Sequence, residues 1–260
     1  MAVSYRQLTN ELRQQIIDAF NSGMECRQIT ENLDLSRRLT RRVLAEAGIN
    51  SKRRNRYTLD EAYFNDINTA EKAYLLGLMA ADGCVTTSNY VAFESTDKTL
   101  TAFCKEAMRY SGDLRVVYPT GGYAAHYRIN FSSKQMASAL SRQGVIAGRM
   151  ETGLCYLPED EFLPAYVLGY FDGDGCAYRS PKRSGGKVCI VCSQNFAEQL
   201  AKRLCMGIVS PHHYRKVYYW TIYHREQIQH FYNLVYQYPG LGLERKRQKI
   251  EAILGSYKRG

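Results

Sequence analysis

Two aspartates, Asp82 and Asp174, close two copies of one short run. The first copy reads Tyr74-Leu75-Leu76-Gly77-Leu78-Met79-Ala80-Ala81-Asp82-Gly83-Cys84. The second reads Tyr166-Val167-Leu168-Gly169-Tyr170-Phe171-Asp172-Gly173-Asp174-Gly175-Cys176. Two carboxylates brought together repel one another unless a cation lies between them. Hard oxygen ligands suit Mg²⁺, and Mn²⁺ or Ca²⁺ can take the same place. Such a pair can hold metal against phosphates and activate water for phosphodiester hydrolysis.

Both runs must be helices for this to work. Asn68 is placed to cap the first, with Glu71 reaching back from the third position. Pro164 suits the first turn of the second. Each run ends at Asp-Gly, where glycine can stop a helix. Gly77 and Ala81 are four apart, as are Gly169 and Gly173, so small residues line one side of each helix and let two backbones approach. Parallel packing through those residues would bring Asp82 and Asp174 together across a pseudo-two-fold axis.

The residues after each run repeat as well. A strand comes first (Tyr90 to Ser95; Lys187 to Ser193), then a helix (Thr99 to Tyr110; Ala197 to Cys205). A long alternating strand and a further amphipathic helix complete each copy (Lys134 to Gln143; Arg225 to Tyr236). In the first long strand Tyr123, Ala125, Tyr127, Ile129 and Phe131 share one face. Ala124, His126, Arg128 and Asn130 share the other. In the second, Tyr218, Trp220 and Ile222 oppose Arg215, Tyr219, Thr221 and Tyr223. An antiparallel sheet commonly packs one face and leaves the other wet. Here the wet face carries His126, Arg128, Asn130, Arg215, Tyr219, Thr221 and Tyr223, side-chain types that read bases and contact phosphates. Glu94, on the first strand near the cleft, could orient water, although its repeat partner is Val191.

Residues 1 to about 50 read as three helices. Their apolar stripes are Leu12, Ile16, Ile17 and Phe20; Cys26, Ile29 and Leu33; and Leu39, Val43 and Leu44, with Ser36 as N-cap of the third. A short turn around Asp34-Leu35 joins the last two in a helix-turn-helix outline. The third helix carries Arg37, Arg38, Thr40, Arg41 and Arg42, which suit a major groove. This segment resembles the helix-turn-helix of resolvases and transposases, with Thr30 where alanine is common and Asp34 where glycine is. A polar, basic stretch over 51–61 comes next, and Arg53 and Arg54 in it are placed to track phosphates. The halves are then expected at 62–157 and 158–260.

Composition agrees with a polyanionic partner. The chain has 35 Lys+Arg against 25 Asp+Glu, net +10, which favours nucleic acid or an anionic membrane face. The longest apolar run near a motif, Ala73 to Ala81, is interrupted by glycine and too short to span a bilayer, so no membrane partner is expected. No basic-then-apolar segment opens the sequence, and a cytoplasmic location is expected, nucleoid-associated in a bacterium or phage, or organellar. The eight cysteines show no disulfide framework and are expected as thiols, with the CxxC pair Cys189 and Cys192 on a strand read as buried thiols rather than metal ligands. Asp172-Gly173-Asp174-Gly175 resembles the start of a calcium loop, but the later ligands of that pattern are missing.

The paired runs resemble the double-motif LAGLIDADG homing endonucleases over roughly residues 70–255. The resemblance implies an α+β fold of two αββαββα halves whose sheets form a saddle over DNA, beside the small all-α N-terminal domain. It implies a monomer that cuts both strands of a long, near-asymmetric double-stranded site. It makes Asp82 and Asp174 the metal-binding catalytic acids, with backbone carbonyls of Ala81 and Gly173 as further metal ligands. It also implies basic residues beside the site, for which Lys246 and Arg149 are the candidates. Ala80 departs from the acid that Asp172 keeps. The alternatives are a DNA-binding regulator that kept the fold and does not cut, and an intron RNA maturase.

Overall fold

The computed structural model describes residues 8–49, 57–118, 120–121, 124–146, 156–181, 184–213 and 216–257. The chain divides into two compact units, Met1–Tyr57 and Thr58–Gly260.

The first unit contains α1 (Asn10–Asn21), α2 (Cys26–Asn32) and α3 (Arg37–Glu46). Ile16, Phe20, Ile29, Leu35, Leu39, Val43 and Leu44 form its core, edged by Leu12, Ile17, Cys26 and Leu33, so the expected stripes do meet. Ser36 caps α3 by accepting from the Leu39 N–H at 3.2 Å. Asp34 turns the chain with φ +47°, a conformation that Asp tolerates better than most residues. Arg37, Arg38, Arg41 and Arg42 are exposed. Thr40 is a correction. It is 0% exposed and its hydroxyl donates to the Ser36 carbonyl at 3.3 Å, so it faces the core between Leu39 and Val43. Arg53 and Arg54 lie outside the described residues.

The second unit holds both halves of the repeat. The first half runs α4 (Ala70–Asp82), β1 (Gly83–Val85), β2 (Tyr90–Ser95), α5 (Lys98–Ala107), β3 (Arg115–Val117), β4 (His126–Ser132) and α6 (Lys134–Arg142). The second runs α7 (Leu163–Asp174), β5 (Gly175–Arg179), β6 (Gly186–Cys192), α8 (Gln194–Leu204), β7 (Ile208–Pro211), β8 (Tyr218–Ile222) and α9 (Arg225–Val235), with α10 (Glu244–Gly255) added. Each half has one antiparallel sheet, ordered β1-β2-β4-β3 and β5-β6-β8-β7. The short edge strands β3 and β7 escape a reading by alternation. Residues 58–61, assigned to a linker on sequence, instead join the first half: the Ser111 N–H donates to the Thr58 carbonyl at 3.0 Å and the Ser133 hydroxyl donates to Glu61 at 2.5 Å.

The alternation places the sheets. Val91, Phe93, Ile129 and Phe131 pack inward in the first, and Val188, Ile190, Trp220 and Ile222 in the second. The indole N–H of Trp220 donates to the Met206 carbonyl at 2.9 Å, which satisfies a buried polar group on each side. Among the described residues no helix is long and apolar enough to cross a membrane.

Local details differ from the expectations in two places. Thr69, not Asn68, caps α4, accepting from the Lys72 N–H at 3.2 Å. Glu71 accepts instead from the Tyr63 hydroxyl at 2.9 Å. Gly83 and Gly175 do follow the helices, but in extended rather than left-handed backbone. A Cβ there would lie 2.4 Å from the carbonyl oxygen of Met79 or Phe171, so the need is for space, not for positive φ.

Candidate active site

The site begins where α4 and α7 touch. Both helices are buried along almost their whole length, so each must find an apolar partner. They find each other. A Cβ on Gly77 would lie 2.1 Å from the Tyr166 carbonyl oxygen, and one on Gly169 would lie 2.0 Å from that of Tyr74. Backbone meets backbone at this crossing, which only glycine permits. Contacts advance in the same direction along both helices, from Tyr74 and Gly169 to Ala81 and Gly173. The packing is therefore parallel and the two C-terminal ends converge.

At the converging end, a Cβ on Gly173 would lie 2.3 Å from the Ala81 Cβ and 3.1 Å from Asp82 Oδ2. The Asp82 carboxylate thus sits against the backbone that leads into Asp174. Asp82 is half-buried and Asp174 exposed. Negative charge at a helix C-terminus opposes the helix dipole, and here two such ends meet. Asp82 also helps to push the Cys104 thiol up, after burial, which is the larger cause.

The two halves balance this charge unequally. Lys246, on the first turn of α10, is 6% exposed. Its ammonium donates to the carbonyls of Phe171, Asp172 and Gly175 at 2.6, 2.8 and 2.7 Å, and to Gly173 at 3.4 Å. It closes the C-terminus of α7, where carbonyls lack helical partners. Burial lowers its pKa to about 8, against the opposing pull of Asp172. Asp172 is buried beside it. Its Oδ2 accepts from the Tyr74 hydroxyl and from the Leu243 N–H, both at 2.8 Å. Burial pushes this carboxyl up to about 6, although both hydrogen bonds favour the charged form. One carboxylate therefore ties α4, α7 and the start of α10 together. Ala80 occupies the matching place in the first copy and can do none of this.

These contacts set an expectation for Lys246→Met. The change leaves the α7 carbonyls without their cation and Asp172 without its nearest compensating charge. Removing one side of such a buried arrangement costs about 3 kcal/mol. Adding Asp172→Asn should restore part of that loss, because the two charges are coupled. Chemical denaturation in chelator checks this, and purely additive losses would count against it.

Sequence reading placed Lys246 beside the site but missed Asp172 and Tyr74 as the members that hold it. The signal was present in the departure of Ala80 from Asp172. Arg149 lies outside the described residues. Glu94 does not stand alone as a water-orienting carboxylate: it forms an ion pair with Arg128, and the His126 Nε2 lies 2.8 Å from its other oxygen, all three on the open face of the first sheet. Asn130 shares that face, in register with Ala92. On the second sheet Tyr219 and Tyr223 reach solvent. Thr221 is the second correction: it is 4% exposed, covered in its row between Cys189 and Ile208. Arg215 lies outside the described residues.

The donor set at the helix ends is all oxygen. Among the described residues no three His, Cys, Asp or Glu side chains cluster as a metal cage. A cation here would rest on Asp82, Asp174 and backbone carbonyls, with water or a ligand supplying the rest, a set that fits Mg²⁺, Mn²⁺ or Ca²⁺ rather than a thiol-seeking metal. The Gly173 carbonyl takes the longest of the Lys246 bonds, and so is the one least committed to that ammonium.

Residues 161–236 match the family model of the LAGLIDADG-like domain. This is a LAGLIDADG fold. The structure of the homing endonuclease I-WcaI bound to its DNA recognition sequence superposes with a TM-score of 0.51 at 14% identity, over 70% of this chain and 85% of that one. The I-LtrWI LAGLIDADG homing endonuclease bound to target DNA gives 0.46 at 15% identity, over 75% and 90%. I-SmaMI bound to uncleaved DNA target with calcium ions gives 0.45 at 14% identity, over 72% and 99%. Among curated proteins no sequence matches this chain. The matched segment begins just before α7 and runs through α9.

Proposed function

We propose that the chain is a site-specific DNA endonuclease that hydrolyses both strands of a long, near-asymmetric duplex site with a divalent cation, Mg²⁺ by chemistry. One observation supports this reading: Gly173 packs against Ala81 and Asp82, so the C-terminal ends of the two helices, each closing on an aspartate, lie side by side. One chain supplies both, so a monomer suffices.

Each residue has a definable part. Asp82 and Asp174 hold the cation with the carbonyls of Ala81 and Gly173. A divalent cation bound there supplies Lewis-acid stabilisation of charge building on a phosphate and lowers the pKa of a nearby water. Lys246 keeps the end of α7 closed and adds positive potential beside the acids. The open sheet faces, with Arg128, His126 and Asn130 in one and Tyr219 and Tyr223 in the other, meet the bases. The net charge of +10 favours phosphate contacts throughout.

The test is incubation with the chain's own gene locus lacking the insert, with and without Mg²⁺. Double-strand cleavage that needs the cation supports the reading. Tight binding with no cut under any divalent cation would overturn it in favour of a regulator.

The N-terminal unit has a separate role in this proposal. As a helix-turn-helix it adds contacts on flanking DNA through Arg37, Arg38, Arg41 and Arg42, and raises affinity through effective concentration. Deleting residues 1–56 should weaken binding and flatten its salt dependence by about 0.9 in log–log slope for each phosphate no longer neutralised. An unchanged slope by fluorescence anisotropy would show that the unit is idle.

A further inference from the structure

The open faces of the two sheets can be compared position by position. In the first, Cys84 pairs with Ala92 and Ala92 with Asn130; in the second, Cys176 pairs with Cys189 and Cys189 with Thr221. That match sets Glu94 against Val191, Arg128 against Tyr219 and Arg115 against Ser210. The block is charged in the first sheet and uncharged in the second. Among the described residues the second face retains Lys187 and His212 as basic groups, and His212 stacks on Tyr219 with ring centroids 5.4 Å apart.

The open faces also differ in exposed apolar side chains: those of the first half lie at edge strand β3, where Val116, 44% exposed, sits in the Tyr127 row that faces away, and just past that strand, where Tyr118 is 80% exposed. Ile208, Tyr178 and Tyr223 are 58%, 51% and 48% exposed, all in the rows of the second open face. Large apolar side chains gathered on one face mark a contact surface. In a duplex the apolar feature of the major groove is the thymine methyl, whereas the guanine edge offers two acceptors that suit an arginine fork. On the first face Arg128 is held by Glu94, so its guanidinium is set in place before any base arrives.

We propose that the two sheets read their half-sites by different chemistry. The first reads guanine through Arg128, steadied by Glu94. The second reads thymine methyls through Ile208, Val191 and Tyr219. The target is then guanine-bearing in one half and A·T-rich in the other, over the base pairs that lie against the strands. This inference rests on the DNA-cutting function proposed above.

The test selects bound duplexes from a randomised pool with the full chain in chelator. One guanine-bearing and one thymine-rich half-site are expected. Replacing thymine by deoxyuridine removes only the methyl. In the second half this should weaken binding about fourfold per contacted base, the worth of one buried carbon, and in the first half it should change nothing. Arg128→Ala should lower the guanine preference in the first half about tenfold or more, and Tyr219→Arg should create a guanine preference in the second. Both variants are read from the sequences they select, so a folding defect cannot imitate the result. A pool that enriches no sequence overturns the site-specific reading and this inference with it. An enriched site whose halves respond alike to deoxyuridine overturns the inference alone.

Discussion

Asp82→Asn and Asp174→Asn, each alone, are expected to reduce double-strand cleavage by about a thousandfold or more while duplex binding persists. The amide keeps the volume of the carboxylate but loses the charge that holds a hard cation. Charge stabilisation worth several kcal/mol at a phosphate goes with it, and about 4 kcal/mol is a thousandfold in rate. The same variants should be more stable than the parent in chelator. Each acid ends a helix whose dipole it opposes, and the two ends meet. Neutralising one should gain about 0.3–1 kcal/mol, or a few degrees at most in a unit of this size. Mg²⁺ should then raise the melting temperature of the parent and not of the variants. Single-turnover cleavage and thermal denaturation, each with and without Mg²⁺, check both parts. Wild-type cleavage in either variant would remove these acids from the mechanism.

Gly169→Ala should be the most damaging small substitution in the chain. Its new carbon would lie 2.0 Å from the Tyr74 carbonyl oxygen and 3.0 Å from the Leu78 nitrogen. These are backbone atoms of α4 and cannot rotate away, so the helices must part. Alanine favours a helix over glycine by about 1 kcal/mol, but forced separation of two buried helices exceeds the usual overpacking cost of about 1–3 kcal/mol. A net loss of about 3 kcal/mol is expected, near 10 °C in melting temperature. Parting the helices also displaces the acids, and about 1 Å of misplacement can cost a hundredfold in rate. Gly255→Ala is the control: nothing lies within 4 Å of its added carbon, and it should be neutral. A Gly169→Ala chain that melts and cuts like the parent would refute the close-packed crossing.

Much of the site was legible because its chemistry is written in local repeats. The two runs name their own acids, Pro164 marks where α7 begins, and the alternation of Arg128 and Asn130 with Ile129 and Phe131 separates the open face from the core. The illegible part depends on partners far away in the chain. Nothing near Lys246 says that its ammonium will settle among carbonyls some seventy residues earlier. Glu94 looks like a lone acid until register brings Arg128 and His126 beside it. Thr40 and Thr221 have polar types on otherwise polar faces, and only packing shows that each is covered. The cap of α4 went to Thr69 rather than its neighbour Asn68, a one-residue choice that local preference cannot settle.

The helix crossing that joins the acids also sets an order of events during synthesis. α4 is buried almost all round in the finished protein, and its cover is chiefly α7. Yet α7 begins about eighty positions later in the chain. At about 5–20 residues per second on the ribosome, the apolar α4 waits several seconds for its mate. During that interval a completed first half presents a greasy glycine-notched groove, and any second copy of the nascent chain offers the same surface. Crowded polysomes and chaperone supply should therefore govern the yield of active protein more than the stability of the final fold does.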